Sequence, residues 1–238
     1  MSEIQFTIDG KACVAKPGQT IVEAAKDNGV WIPVLCHYEG LKPVGSCRIC
    51  TVRVAGRYMA ACTQPVTEGM AVENDVPDLE DMRKALVEML FVEGNHFCPS
   101  CEKSGNCELQ ALGLPLPDAD VPRFPYLWPG REIDAAAPLL MLERNRCIQC
   151  LRCVRAVKAK DGRKVFAAVG RGPRVTIEAD REAGREALRG GGPQGHGHLP
   201  GRGHPEEGDR LRRPDRQAQV RPRPHRQRRR ERDREVGP

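Results

Sequence analysis

The stretch "CHYEGLKPVGSCRICTVRVAGRYMAAC", residues 36–62, sets Cys36, Cys47, Cys50 and Cys62 in a C-x10-C-x2-C-x11-C arrangement. Four thiolates suit a [2Fe–2S] centre, two per iron. Gly40, Gly45 and the small Ser46 let backbone amides approach sulfur, where N–H donors stabilise negative charge. A structural zinc site with four cysteine ligands is the alternative. Such sites use two short knuckles rather than one short and two long gaps.

Upstream, Ile4, Phe6 and Ile8 alternate with polar neighbours, which predicts a half-buried strand ending at the turn pair Asp9-Gly10. "KACVAK" completes a hairpin, and Cys13 within it reads as a small core residue. Thr20 is placed to cap a short helix, "IVEAAKDNG", which Asn28-Gly29 stops. "TVRVAG" and "MAVEN" predict two more strands. Residues 1–76 therefore read as a small mixed sheet of two hairpins packed on one helix.

From Pro77 the period becomes helical. In "PDLEDMRKALVEMLFVEG", Leu79, Met82, Leu86, Met89 and Leu90 fall on one face, with Gly94 after the end. A second cysteine group follows in "GNHFCPSCEKSGNCELQ": His96, Cys98, Cys101 and Cys107. Three thiolates and an imidazole can hold zinc or a [4Fe–4S] cluster. In the cluster case a neutral imidazole removes one negative charge from the ligand set and should ease reduction. His37, beside Cys36, reads as a surface residue or a neighbour of the ligands. A proline-rich connection leads to "NRCIQCLRCV", residues 145–154, where Cys147, Cys150 and Cys153 have the C-x2-C-x2-C spacing that curls around one face of a [4Fe–4S] cube. The cube's fourth iron needs a ligand from elsewhere, and no cysteine follows.

Composition bounds the rest. Eleven cysteines, mostly in tight groups, and 4% aromatics fit a chain of 238 residues held partly by metal. "MSEIQFTIDG" lacks the features of a secretory signal, and "AAAPLLML" at 135–142 is too short to span a bilayer. The expectation is a soluble cytoplasmic protein, where clustered cysteines favour metal over disulfides. The net charge of +6 arises in the tail: residues 183–238 hold 15 arginines, no lysine and 8 acids, whereas residues 1–182 hold 23 Lys plus Arg and 24 Asp plus Glu. That tail has no Ile, Phe, Tyr, Trp, Met or Cys. It cannot bury enough apolar surface to offset its ordering entropy, so it reads as disordered.

The three groups, in this order, resemble the electron-transfer small subunit of the diaphorase part of cytosolic NAD-reducing [NiFe] hydrogenases. That family is similar to the N-terminal iron–sulfur region of the large peripheral-arm subunit of respiratory complex I. The likeness runs to about residue 182 and includes "DMRKALVEMLFVEGNHFCPSCEKSGNCELQ" and "RFPY". It implies an α+β chain: an N-terminal β-grasp, ferredoxin-like [2Fe–2S] domain over 1–76, a small helical [4Fe–4S] domain over 77–130, and a truncated ferredoxin-like [4Fe–4S] domain over 131–182. Cys36, Cys47, Cys50 and Cys62 would bind [2Fe–2S]. His96, Cys98, Cys101 and Cys107 would bind one [4Fe–4S], and Cys147, Cys150 and Cys153 most of another. The complex I type looks like His-x3-Cys before its C-x2-C, whereas this chain has His-x-Cys, as the hydrogenase type does, and Gly at position 94.

The resemblance implies an electron conduit between an FMN- and NAD(H)-binding diaphorase subunit and the small and large hydrogenase subunits, in the overall reaction H2 + NAD+ = NADH + H+. This subunit itself would be non-catalytic. No general acid, nucleophile or nucleotide-binding glycine loop is evident, and "GRGPR" at 170–174 reads as a turn. A subunit of a complex I-like NADH dehydrogenase or of an NAD-dependent formate dehydrogenase is the alternative within this class. A zinc protein with a nucleic-acid-binding Arg-rich tail is the alternative outside it. Eight interleaved acids and the lack of aromatic stacking residues argue against the last, and the chain is expected to bind neither nucleic acid nor membrane.

The family places its fourth ligand in a Cys-Pro-Val-Gly-like motif roughly 45 residues after the third cysteine. Here the chain reads "GHGHLPGRGHPEE" at 195–207. Back-translated and read one nucleotide later, this stretch permits Ile-Cys-Pro-Val-Gly-Ala, and "DRLRRPDRQAQVR" at 209–221 permits a second family-like run in the same frame. Residues from about 180 onward therefore read as an out-of-frame translation of a GC-rich gene. Resequencing should reveal a single-base insertion or deletion near that codon. An uninterrupted frame through the tail rejects the idea.

Overall fold

The computed structural model describes residues 3–184 apart from 102, 114–122, 129, 138–139 and 160. The arginine-rich tail and much of the proline-rich connection lie outside the described residues.

The alternation at the N-terminus gives β1 (Ile4–Ile8), paired antiparallel with β2 (Lys11–Ala15) from Ile4↔Ala15 to Ile8↔Lys11. Asp9 and Gly10 both have positive φ, 48° and 78°, which lets a two-residue turn follow the twist of the strands. Phe6, Ile8, Cys13 and Ala15 are buried on one face, so Cys13 is a core residue as expected. α1 (Ile21–Asp27) starts in a capping box: Thr20 accepts from the Glu23 amide and the Glu23 carboxylate accepts from the Thr20 amide. It buries Ile21, Val22, Ala24 and Ala25 against the sheet.

β3 (Thr51–Val54), β4 (Arg57–Ala60) and β5 (Ala71–Glu73) complete a five-stranded sheet ordered β2-β1-β5-β3-β4, with β1 and β5 parallel. A mixed sheet holding one helix is the β-grasp arrangement. The second hairpin differs from expectation. β3 turns directly into β4 through Ala55-Gly56, whose φ values are 47° and 75°. An alanine there carries none of the Asn-Gly or Asp-Gly signal that marks such turns. "MAVEN" supplies β5, which inserts between β1 and β3.

α2 (Pro77–Glu93) opens with proline at its first position and acids in its first turn, and ends at Gly94. Leu79 and Val87 are its buried residues, with Leu86, Leu90 and Phe91 beside them, while Met89 is 38% exposed. The inner face is thus rotated away from the expected Met89, because the helix packs against the first cysteine loop as well as α3 (Glu108–Gly113). Arg83 lies on that side. Its guanidinium donates to the carbonyls of Ile49, Thr51 and Asn74, tying α2 to the loop and β3.

Further on, β6 (Ile133–Ala137) pairs antiparallel with β7 (Leu140–Glu143). α4 (Arg152–Ala156) precedes the hairpin β8 (Phe166–Val169) and β9 (Thr176–Ala179). "GRGPR" makes the turn between them, as expected, with a 3-10 segment at Gly172–Arg174. Cys153, Val157, Val165, Phe166 and Ile177 form this region's core.

Thr20→Ala removes the side-chain half of the capping box and is expected to cost about 1 kcal/mol. Hydrogen exchange of the α1 amides should accelerate by about fivefold.

Candidate metal centres

The first cysteine group comes together around the loop between α1 and β3, with Cys62 arriving just after β4. Cys36, Cys50 and Cys62 are buried and Cys47 is half-buried. Their sulfurs touch in a chain, Cys47 to Cys36, Cys36 to Cys62, and Cys62 to Cys50. The Cys36 amide donates to the Cys47 sulfur at 3.4 Å, and the amides of Ser46 and Cys47 donate to Cys36. Gly40, Gly45 and Arg48 hold positive φ of 79°, 62° and 59°, which turns these amides inward. At Gly45 a side chain would crowd Thr63 Cγ2 at 3.2 Å. Donation from Cys47 and Cys62 holds the Cys36 thiol well below the ordinary range despite its burial. Donation from Cys62 likewise lowers Cys50 to about 7, while Cys47 and Cys62 are pushed up in return. Among the described residues no three Cys, His, Asp or Glu side chains close around a single-ion position.

The second group lines one pocket: His96, Cys98, Cys101 and Cys107, with Phe91 and Leu109 as walls. His96 meets the Phe91 ring edge-on at 5.7 Å between centroids. The ring bonds to the Leu90 carbonyl, and its Nε2 is buried without a hydrogen-bond partner. The nitrogen facing Leu90 is therefore Nδ1–H, and Nε2 keeps its lone pair. Burial lowers the imidazole pKa and favours this neutral form. A Cβ on Gly94 would sit 2.4 Å from Nε2. The ring thus occupies the space that any side chain at position 94 would claim. Tyr126 of "RFPY" fixes the turn by donating to the Gly94 carbonyl at 2.8 Å.

In the third group Cys150 and Cys153 are buried and Cys147 is half-buried. Gln149 and Leu151, between the cysteines, adopt left-handed φ of 51° and 58°. Such conformations cost about 1–2 kcal/mol each for non-glycine residues. They aim the Arg152 and Val154 amides at the sulfurs of Cys150 and Cys153. Burial pushes the Cys150 thiol up, and burial with the neighbouring Cys150 pushes Cys153 up to about 12. Buried thiols in this state need a cationic centre among them before they ionise together. The stretch expected to encode a fourth ligand lies outside the described residues.

The groups are neighbours in space. Leu35, Ile49, Val87 and Leu109 bury together, and Cys47, Cys107 and Ile148 pack against them. Asn95 donates to Asn145 at 2.7 Å, joining the second and third groups. His37 is half-buried with Nδ1 unpartnered, and its carbonyl accepts from Arg152. Sequence reasoning missed Arg83, Arg152 and Arg155, although arginines three apart beside a cysteine triplet already share a helix face.

The model of a 2Fe-2S iron-sulfur cluster binding domain matches residues 1–77. The NADH-ubiquinone oxidoreductase-G iron-sulfur binding region matches 83–114, and the ferredoxin-like domain of NADH-quinone oxidoreductase subunit 3 matches 137–187. The gamma subunit of NAD-reducing hydrogenase HoxS from Cupriavidus necator is 52% identical over 180 residues, covering 75% of this chain and 76% of that protein. The mitochondrial 78 kDa subunit of NADH-ubiquinone oxidoreductase from Candida albicans is 34% identical over 181 residues, but the chain spans only 25% of it. A crystal structure of NAD+-reducing [NiFe]-hydrogenase in the H2-reduced state contains a chain similar at a TM-score of 0.68 and 42% identity, over 74% of each chain.

Proposed function

Because this chain belongs to the family of iron–sulfur subunits that includes the HoxS gamma subunit and the G-type subunits of NADH-quinone oxidoreductase, we propose that it is the electron-transfer subunit of an NAD-reducing hydrogenase. What carries the reading is the 52% identity over 180 residues to the HoxS gamma subunit, beside the three cysteine groups of this chain. The subunit's role is non-catalytic. When bound, the clusters supply one-electron donor and acceptor sites.

Cys36, Cys47, Cys50 and Cys62 would hold a [2Fe–2S] cluster. The amides that donate to their sulfurs and the match of residues 1–77 to a 2Fe-2S cluster binding domain support that group over zinc. His96, through its unpartnered Nε2, with Cys98, Cys101 and Cys107 would hold one [4Fe–4S] cluster. Cys147, Cys150 and Cys153 would hold three corners of a second. The apolar junction between the groups keeps them in one frame and excludes water from it. The partners are an FMN- and NAD(H)-binding diaphorase subunit on one side and the small and large [NiFe] hydrogenase subunits on the other, in the cytoplasm. Among the described residues no helix is long and apolar enough to cross a membrane.

A role in a complex I-like NADH dehydrogenase is the second reading, on the 34% identities. The crowding of His96 against position 94 speaks for the hydrogenase type, since a histidine at 94 and the present ring position exclude each other.

Anaerobic purification should yield a brown chain with iron and acid-labile sulfide in equal amounts and EPR signals on reduction. Colourless, sulfide-free material, or zinc alone, overturns the reading. Gly94→Ala should displace His96 and abolish the signal of the histidine-ligated cluster, with iron falling by about four per chain and the [2Fe–2S] signal retained. Undiminished iron and an unchanged spectrum would show that His96 is no ligand.

A further inference from the structure

Arg152 and Arg155 project from α4, at and just beyond the end of the C-x2-C-x2-C run, and both reach across to other cysteine groups. Arg155 donates through Nη1 to the Lys42 carbonyl at 2.7 Å and through Nη2 to the Cys36 carbonyl; Nη2 also reaches the Cys150 carbonyl at 3.4 Å. Arg152 donates through Nη2 to the His37 carbonyl at 2.9 Å, and its Nη1 pairs at 2.7 Å with Glu108, the residue after Cys107. Its guanidinium also lies over the Tyr38 ring, 5.2 Å from the centroid. Two side chains of one short helix therefore touch the backbone or flank of all three cysteine groups.

The chemistry explains why arginine stands here. A loop that turns its amides inward to sulfur turns its carbonyls outward, and buried carbonyls need donors. A guanidinium supplies several donors in a fixed plane and keeps its charge at every working pH. The Arg152 side chain is only 12% exposed, so solvent and salt screen it weakly. Its charge already acts on the sulfurs of both Cys36 and Cys150.

We propose that Arg155, with Arg152, is a positioning residue of the relay: it pins the first and third cysteine groups to one point and biases the sites on either side toward their reduced state. The inference rests on the electron-relay reading and adds how the potential is set. Each one-electron reduction adds one negative charge to a site, and a fixed neighbouring cation favours that charge. Glu108 offsets part of the charge on Arg152, whereas Arg155 bonds directly to the Cys36 carbonyl, so Arg155 is the cleaner side chain to vary at the first group.

The test is an EPR-monitored redox titration of the full chain, reduced stepwise with dithionite. Arg155→Gln should keep its iron and sulfide but lower the midpoint of the first-group site. At a fixed potential the reduced-to-oxidised ratio should fall about tenfold, which is about 59 mV for a one-electron couple. Arg155→Lys, which keeps the charge but loses the fork, should recover most of that shift. A merely structural residue would give no such recovery. An unmoved midpoint in Arg155→Gln, or a Lys variant as low as the Gln variant, overturns the inference while leaving the relay reading intact. Should Arg155→Gln fail to retain iron, Arg152→Gln decides: a shift in the same direction supports the inference, and none overturns it. A wild-type chain without iron or sulfide instead fails the relay reading and takes this inference with it.

Discussion

Within a few residues of chain, the sulfurs must face one point while the side chains between them face another. That constraint organises the molecule. Leu35 precedes Cys36, Ile49 precedes Cys50, Ile148 follows Cys147, and Leu109 lies two residues after Cys107. Each turns away from the sulfurs, and together they form the apolar junction on which α2 places Val87. Burying such a side chain is worth about 1.5–3 kcal/mol. A handful of them can hold left-handed backbone at Arg48, Gln149 and Leu151 that an isolated peptide would abandon. Sulfur inward and aliphatic outward is one arrangement seen from two sides.

The same geometry dictates where the charges go. Amides that donate to sulfur leave carbonyls on the outer surface of each loop, and three arginines from neighbouring elements take them up. Arg83 comes from α2 to Ile49 and Thr51, while Arg152 and Arg155 come from α4 to the Cys36–Lys42 segment. The regular elements act as supports. The β-grasp sheet anchors both ends of the first loop, α2 spans the first and second groups, and the β8–β9 hairpin backs the third. For a chain that passes single electrons between partner proteins, rigidity is the useful property. It fixes spacing, and it leaves little reorganisation when charge arrives.

The His-x-Cys spacing of the second group, with glycine at position 94, has a steric basis in the structure. With glycine at 94 the imidazole of His96 folds back over the turn, its Nδ1–H on the Leu90 carbonyl and its unpartnered Nε2 against the space beside Gly94, while the residue lines the same pocket as the cysteines. Position 94 can carry a side chain or leave room for this ring, and it cannot do both.

Much was legible in the sequence because cysteine spacing is a covalent ruler. The C-x2-C repeats, the strand alternation of Ile4, Phe6 and Ile8, the Asp9-Gly10 turn and the Thr20 cap are all local, and local sterics decide them. β4 was not legible, since its turn uses alanine where asparagine or aspartate would have signalled it. The inner face of α2 passed from Met89 to Val87 because a second neighbour, absent from any helical periodicity, packs there. The three arginines carry no local mark of their role. Only tertiary structure could assign them, because the carbonyls they satisfy lie up to 119 residues away along the chain. Which atoms can bind metal is thus written in residue type and spacing. How the three groups face one another is decided by long-range burial and hydrogen bonding, which no local pattern encodes.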